Sequence, residues 1–204
     1  NPIIANYLNY FDVVIDTTTP IKYTDNWSIL TNEFSLISYP EKKNSNQFLQ
    51  LGAGYTQMTG KFLGKDNWNN HNLYSFGVYK NKTRNQLWDM LAAGKLFLNG
   101  YHAGDYEASL ALSRILSKKG SYLSFSFQNT NRTPSLNRLA VTQFPINSMS
   151  GIQKENLLSL TGKLGNANTG WKAEFNYQLV NNYQYFTTGF QPAVYERSLS
   201  YMRA

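Results

Sequence analysis

Asp105 and Glu107, two carboxylates two positions apart, are the residues of this chain that come closest to a catalytic pair. In an extended strand, residues i and i+2 point to the same face, so the two groups could act on one substrate as general acid and base. A turn aspartate followed by a glutamate on a wet strand face explains the same pattern without chemistry. The sequence therefore predicts that this protein is not an enzyme.

Other residue patterns that support catalysis or metal binding do not occur in the sequence. The chain has no cysteine, which excludes thiolate metal sites, and only His71 and His102 could offer imidazole, so we do not expect a histidine-rich metal site. Arg132 and Arg138 flank "TPSLN" and could hold an anionic ligand, although solvated loop arginines explain them more simply. Phosphate-binding loops, dinucleotide-binding glycine motifs and hydrolase motifs are all missing. We expect neither a metal nor a cofactor.

Composition limits the partners that this chain could bind. The net charge of +7 could suit nucleic acid, but the lysines and arginines are scattered, with nothing denser than the pairs at 42–43 and 118–119. Charged residues and aromatic residues each make up 15% of the chain, whereas disordered chains are usually rich in charge and poor in aromatic residues. We therefore expect no nucleic-acid partner.

Apolar and polar residues alternate along the segments that would position these side chains. In "GWKAEFNYQLV", Trp171, Ala173 and Phe175 share one face, while Lys172 and Glu174 share the other. The same period of two recurs in at least five more segments, between clusters that are typical of turns. The sequence therefore predicts an all-β fold of nine or ten strands in a single domain, residues 1–204.

The lengths and faces of these strands favour a membrane barrel over a soluble sandwich. Strands of nine to twelve residues are long for a sandwich but suit a tilted transmembrane strand of about 9–11 residues. One face is rich in Ser, Thr, Gly, Asn and Gln, which suits a wet lumen, and the other is rich in Leu, Phe, Ala, Val and Tyr, which suits lipid. We thus predict an antiparallel transmembrane β-barrel, or a segment of nine to ten strands from a larger one.

Two sets of residues would determine how such a barrel functions, one lining its lumen and the other placed at the membrane interface. The predicted lumen-facing residues, which would set the electrostatic preference of a pore, are Asp89, Lys95, Glu107, Lys163, Lys172 and Glu174. Rings beside amides, as in "NNYQYF", are expected where hydrocarbon meets headgroups. The predicted aromatic girdle consists of Tyr7, Tyr10, Phe11, Trp27, Trp68, Tyr183, Tyr185 and Phe186.

Three segments depart from this regular pattern, and the second of them contains "PSLNRLAV". The first 25 residues and the stretch from Asn129 to about Asn156 are too long for hairpin turns, and we expect the second to be an extracellular loop or a lumen constriction. "QLWDMLAAGKLFLNGY" fits a helix or a strand, and its alternating neighbours favour a strand with Asp89, Lys95 and Asn99 pointing inward. "PSLNRLAV" could form one or two helical turns.

Several motifs resemble a known family in their order. They are "NGYHAGDYEASLALSR" (99–114), "NRTPSLNR" (131–138), "ENLLSLTGKLG" and "FNYQLVNNYQYFTTGFQPAVYE". This order is similar to that in porins of the Bacteroidota outer membrane, mainly over residues 95–204. Members of that family are longer, so the resemblance implies a portion of a larger barrel without catalytic residues.

The resemblance implies a porin-like channel for passive solute transport in the bacterial outer membrane, with the lipid bilayer and other outer-membrane proteins as partners. One alternative is a structural barrel subunit of a larger outer-membrane complex. Another is a fragment of a TonB-dependent receptor barrel, whose strands look alike and whose loops can contain a similar "R-x-PSL". A soluble carbohydrate-binding β-protein with exposed aromatic residues is the third.

Overall fold

The computed structural model describes residues 25–41, 44, 46–62, 67–134, 153–187 and 192–204. Within these ranges the regular structure consists of β-strands, without a helix, which confirms the all-β prediction. The strands are β1 (Asp25–Ser38), β2 (Gln47–Phe62), β3 (Trp68–Lys82), β4 (Trp88–Gly100), β5 (Tyr106–Ile115), β6 (Ser121–Arg132), β7 (Glu155–Asn166), β8 (Lys172–Asn181), β9 (Tyr183–Phe186), β10 (Pro192–Tyr195) and β11 (Leu199–Arg203).

Nine of the strands form one antiparallel sheet in the order β1-β2-β3-β4-β5-β6-β7-β8-β11. Strands that follow one another in the chain pair with one another up to β8, while β9 and β10 form a separate hairpin inserted before β11. The outer edges, β1 and β11, do not pair, so the sheet is open and is consistent with a barrel segment. A ten-residue strand such as β5 is about 33 Å long and would cross about 25 Å at a tilt of about 40°.

The ambiguous segment around residue 90 is the strand β4, as its neighbours favour. Its pairing with β3 is interrupted, because Tyr74 lies opposite Phe97 and Leu73 opposite Asn99, which leaves Leu98 without a partner. This extra residue shifts the alternation, as a β-bulge does. Asn99 therefore falls on the same face as Leu73, and the expectation that it shares a face with Asp89 is wrong.

The long segment between β6 and β7 is shorter than the sequence indicates. Strand β6 continues through Asn129 to Arg132, and β7 already begins at Glu155. Paired strands therefore occupy both ends of the predicted loop, and the possible helical turns in "PSLNRLAV" lie outside the described residues, apart from Pro134. The first 24 residues lie outside them as well.

Few apolar side chains of the described residues are buried. Among the large apolar residues only Met58 and Tyr74 are, whereas Phe34 and Met202 are each 69% exposed. A soluble sandwich would cover its apolar face with a second sheet. The one large sheet described here has no such cover, as expected of a surface made for lipid. In the described ranges, no helix has the length and apolar character needed to cross a membrane.

Candidate functional site

The strand register collects most of the charged residues on one face of the sheet. Lys95 of β4 lies opposite Glu107 of β5, which lies opposite Thr130 of β6. Directly opposed residues of an antiparallel pair share a face. We call the face that carries these three residues the polar face, and the other, which carries Leu110 and Phe127, the apolar face.

All six predicted lumen-facing residues lie on the polar face. Asp89 lies opposite Ser113, and cross-strand pairing then continues through Ser124 to Lys163 and Glu174. Lys172 is two positions from Glu174 on β8 and shares its face. Lys95 and Glu107 occupy a second row on that face. That this face lines a lumen stays a prediction.

The sheet curls toward the polar face. One cavity of about 310 Å³ is lined by residues from β5 through β8, including Glu107 and Gln178. Another, of about 330 Å³, has Lys80 of β3 and Lys163 of β7 in its wall, although three strands lie between theirs. A flat sheet could not bring side chains from such distant strands to one cavity, so the polar face is concave.

The apolar face carries almost no charge. Its middle rows contain Leu110, Phe127 and Leu160, which lie opposite one another on β5, β6 and β7. Among the described strands of the sheet, the charged side chains on this face are Lys61 and Arg114, and each is one residue from its strand's end. Charged side chains close to the strand ends, with apolar side chains between them, are the pattern found on the outer surface of a membrane barrel.

Aromatic rings fill one part of the polar face because glycines make room for them. Tyr74 is 1% exposed, and a Cβ atom at Gly54 would overlap its ring. The ring reaches across β2, so that the Tyr74 hydroxyl donates a hydrogen bond of 2.5 Å to Glu33 on β1. The Lys95 ammonium lies 3.7 Å above the centre of the same ring, at cation–π distance. Three strands are thereby joined by side chains on this face.

Ion pairs on the polar face link neighbouring strands. Arg132 donates hydrogen bonds of 2.8 and 2.6 Å from Nε and a terminal nitrogen to Glu155 Oε2. Lys163 and Glu174 are 3.3 Å apart. Each pair cancels its own charge, so these residues influence a passing ion less than unpaired groups of the same face do.

Asp105 is the most heavily bonded carboxylate among the described residues. It is 5% exposed and accepts hydrogen bonds from Lys154 Nζ (2.6 Å), Thr133 Oγ1 (2.8 Å), Thr133 N (2.9 Å) and His102 Nδ1 (2.8 Å). Lys154 also donates to the Ala103 carbonyl. Since Thr133 follows β6 and Lys154 precedes β7, Asp105 fastens both ends of the intervening segment to the turn between β4 and β5.

These contacts set the protonation states of Asp105 and Tyr101 in the turn between β4 and β5. Burial raises the pKa of Asp105, but the hydrogen bonds from Lys154, Thr133 and His102 outweigh it and bring the pKa below its usual value. Burial, together with the nearby Asp105 charge, raises the pKa of Tyr101 to about 12. Asp105 is therefore an ionised anchor at neutral pH, and Tyr101 keeps its proton. Groups of three or more potential metal ligands are missing from the described part of the chain.

A comparison with known protein families identifies the family of this chain. A family model described as "Putative porin" matches residues 5–204. The chain belongs to this family. The match extends beyond residues 95–204, where most of the resemblance lies, and includes the N-terminal half. No curated protein and no solved structure matches the chain.

The aromatic girdle of this porin-family chain is only partly described. Tyr7, Tyr10 and Phe11 lie outside the described residues. Trp27 and Trp68 both lie opposite Gly60, and their rings meet edge to face at 5.5 Å. Trp27 shares a β1 face with Glu33, so the register places both tryptophans on the polar face, whereas a girdle ring should face lipid.

The remaining predicted girdle residues lie on β9. The rings of Tyr183 and Tyr185 stack with centres 6.5 Å apart, and they are 41% and 40% exposed. Phe186, at the end of β9, is also 40% exposed. Contact between these rings and a lipid interface stays a prediction.

The sequence reading missed a ring-and-amide cluster on the apolar face. Asn156 Nδ2 lies 3.2 Å from the Tyr106 hydroxyl and 3.0 Å from Asn129 Oδ1. At the other end of the same strand, Asn166 donates to Ser121. One signal was available, because Asn156 and Asn166 bracket the alternating apolar run of β7, as interface residues should.

A ring at the opposite end was also missed. Trp88 lies opposite Arg114, whose guanidinium is 4.8 Å from the ring centre. This pair places an aromatic ring and a charge together on the apolar face, near the end of β5, which is the arrangement expected at an interface.

Proposed function

We propose that this porin-family chain forms part of an outer-membrane channel through which small solutes pass without chemical change. The observation that carries the proposal is the division of the curved sheet into a concave polar face and an apolar face with charges only near strand ends. Family membership supports an outer-membrane, porin-like role in general. The polar face would line the water-filled path, and the apolar face would meet lipid.

In this proposal, the charged residues of the polar face tune the passage of ions. The pairs Arg132–Glu155 and Lys163–Glu174 neutralise each other within a few ångströms. Lys95 lies over the Tyr74 ring and forms no ion pair with any of the described residues. The unpaired groups should therefore dominate selectivity, as rings of charge do in other pores.

We also propose that the chain performs no catalysis. Asp105 is held ionised by four hydrogen bonds, and a carboxylate with a lowered pKa is a poor proton donor at neutral pH. Glu107, the other carboxylate of the candidate pair, accepts a hydrogen bond from Gln128 at 3.1 Å. The two carboxylates thus have separate structural partners.

Cysteine accessibility in planar bilayers tests the channel, because the chain has no cysteine of its own. Ser126 lies in the centre of the polar face, and Leu110 in the centre of the apolar face. A Ser126→Cys channel should conduct ions and should lose conductance when a bulky charged thiol reagent is added from the water. The matched Leu110→Cys channel should conduct and ignore the reagent.

Two results would contradict the proposal. If the inserted protein does not conduct at all, a structural barrel subunit is the better description. If Leu110→Cys responds to the reagent and Ser126→Cys does not, the two faces have been assigned the wrong way round.

A further inference from the structure

The cavity between Lys80 and Lys163 combines two ammonium groups with a set of hydroxyls. Its wall includes the hydroxyl-bearing residues Ser113, Ser124, Ser126 and Thr161. These hydroxyls belong to opposed pairs, since Ser113 lies opposite Ser124, and Ser126 opposite Thr161. Thr161 already donates its hydroxyl proton to Asn176 Oδ1 at 2.9 Å. Cross-strand pairing therefore leaves the three serine hydroxyls as potential donors next to one another on the concave face.

The charge around this cavity is predominantly positive. The Lys80 side chain has neither a hydrogen bond nor an ion pair with any residue that the structure describes, so no anionic partner offsets its charge. Lys163 is shared with Glu174 at 3.3 Å. The charged residues of this half of the polar face are the cations Lys80, Lys82, Lys163, Lys172 and Arg203 and the anions Asp89 and Glu174.

We propose that this cavity is a binding site, on the path through the channel, for small anions whose oxygens accept hydrogen bonds, namely carboxylates and phosphates. The serine hydroxyls would donate to the anion's oxygens, and Lys80 would supply most of the positive charge, because Lys163 is already paired with Glu174. The volume of about 330 Å³ admits a small organic anion together with water. Asp89, also in the wall, would keep the site weak enough for a bound anion to leave. The inference rests on the proposed channel function and adds to it the class of solute.

Binding is tested first, in detergent micelles, with inorganic phosphate as the probe and phosphorus NMR line broadening as the readout. Lys80→Gln should weaken phosphate binding by about fivefold, the loss expected for one partly exposed charged contact. Lys80→Arg should keep most of the affinity. Lys118→Gln, which makes the same charge change in the turn between β5 and β6, should leave the affinity unchanged. No binding by the wild type, or an equal loss in both Gln variants, would overturn the inference.

Conduction is tested next, by the reversal potential across a potassium chloride gradient at about 10 mM salt, where the Debye length is about 30 Å. The wild type should prefer anions, and Lys80→Gln should lower the anion-to-cation permeability ratio by about twofold. A conducting protein without this preference would overturn the inference and leave the channel standing. A protein that does not conduct would overturn the channel itself, and phosphate binding alone would then decide whether the anion site exists.

Discussion

An arginine in the middle of the apolar face should lower the free energy of unfolding far more than an arginine at the neighbouring position on the polar face. Leu110 lies on the apolar face of β5 between Ala92 and Phe127, and its neighbour Ser109 lies on the polar face opposite Gln128. The two positions differ by one residue in the same strand. Leu110→Arg and Ser109→Arg therefore form a matched pair that isolates the environment of each face.

The position of Leu110 along its strand sets the size of the effect. It is four residues from Tyr106 and four from Arg114, which mark the two ends of the apolar stretch of β5. Four residues cover about 13 Å along a strand, or about 10 Å of depth at a tilt of about 40°. Leu110 is thus close to the midplane, where arginine destabilises a membrane barrel by about 2–4 kcal/mol.

The assay is equilibrium unfolding of the protein in phospholipid vesicles. Leu110→Arg should lower the free energy of unfolding by about 2–4 kcal/mol, which is roughly a 30- to 700-fold change in the equilibrium constant. Ser109→Arg should cost less than about 1 kcal/mol, because its side chain meets water. Equal costs at the two positions would refute the assignment of faces.

A soluble protein would also suffer from arginine in an apolar core, so a second measurement identifies the environment. A spin label at position 110 should collide with oxygen dissolved in lipid and be shielded from water-soluble relaxation agents. A label at position 109 should show the opposite preference. Shielding from both agents at position 110 would mean a protein core, and the membrane interpretation would fall.

The remaining predictions concern Gly54, which makes room for the Tyr74 ring, and Asp105, which anchors the segment between β6 and β7. Gly54→Val should lower the free energy of unfolding by about 1–3 kcal/mol, because the new side chain would displace the Tyr74 ring. Gly162→Val should not lower it, because a Cβ atom at Gly162 meets no atom within 4 Å. Equal stabilities of the two variants in denaturant titrations would show that the Tyr74 ring does not need the space at Gly54. Asp105→Asn should cost about 1.5–3 kcal/mol and speed proteolysis between β6 and β7, because Lys154 loses a charged partner; unchanged cleavage would show that the anchor is unimportant. Since the pKa of Asp105 is lowered on folding, its stabilisation should be complete above about pH 4 and be lost as the pH falls through the lowered pKa; a pH titration of unfolding should show this loss in the wild type and not in Asp105→Asn.

The alternation of residue types determined the faces of single strands. Side chains in an extended chain alternate whatever the strand pairs with, so Lys172 and Glu174 could be placed on one face from spacing alone. The same local rule predicted a strand, rather than a helix, for the segment that forms β4. It failed at Asn99, because the extra residue in β4 is visible only in the pairing with β3.

Register and curvature decided the rest. Lys80 and Lys163 are 83 positions apart in the sequence, and only a sheet that curls across five strands brings them to one cavity. Asp105 looks like an ordinary turn residue, and its contacts with the residues that flank the segment between β6 and β7 depend on where those strands end. Trp27 looks like a girdle residue, yet its register with β2 puts it on the polar face. Local sequence thus determined which way each side chain points from its strand, whereas contacts between distant strands depend on pairings that the fold as a whole selects.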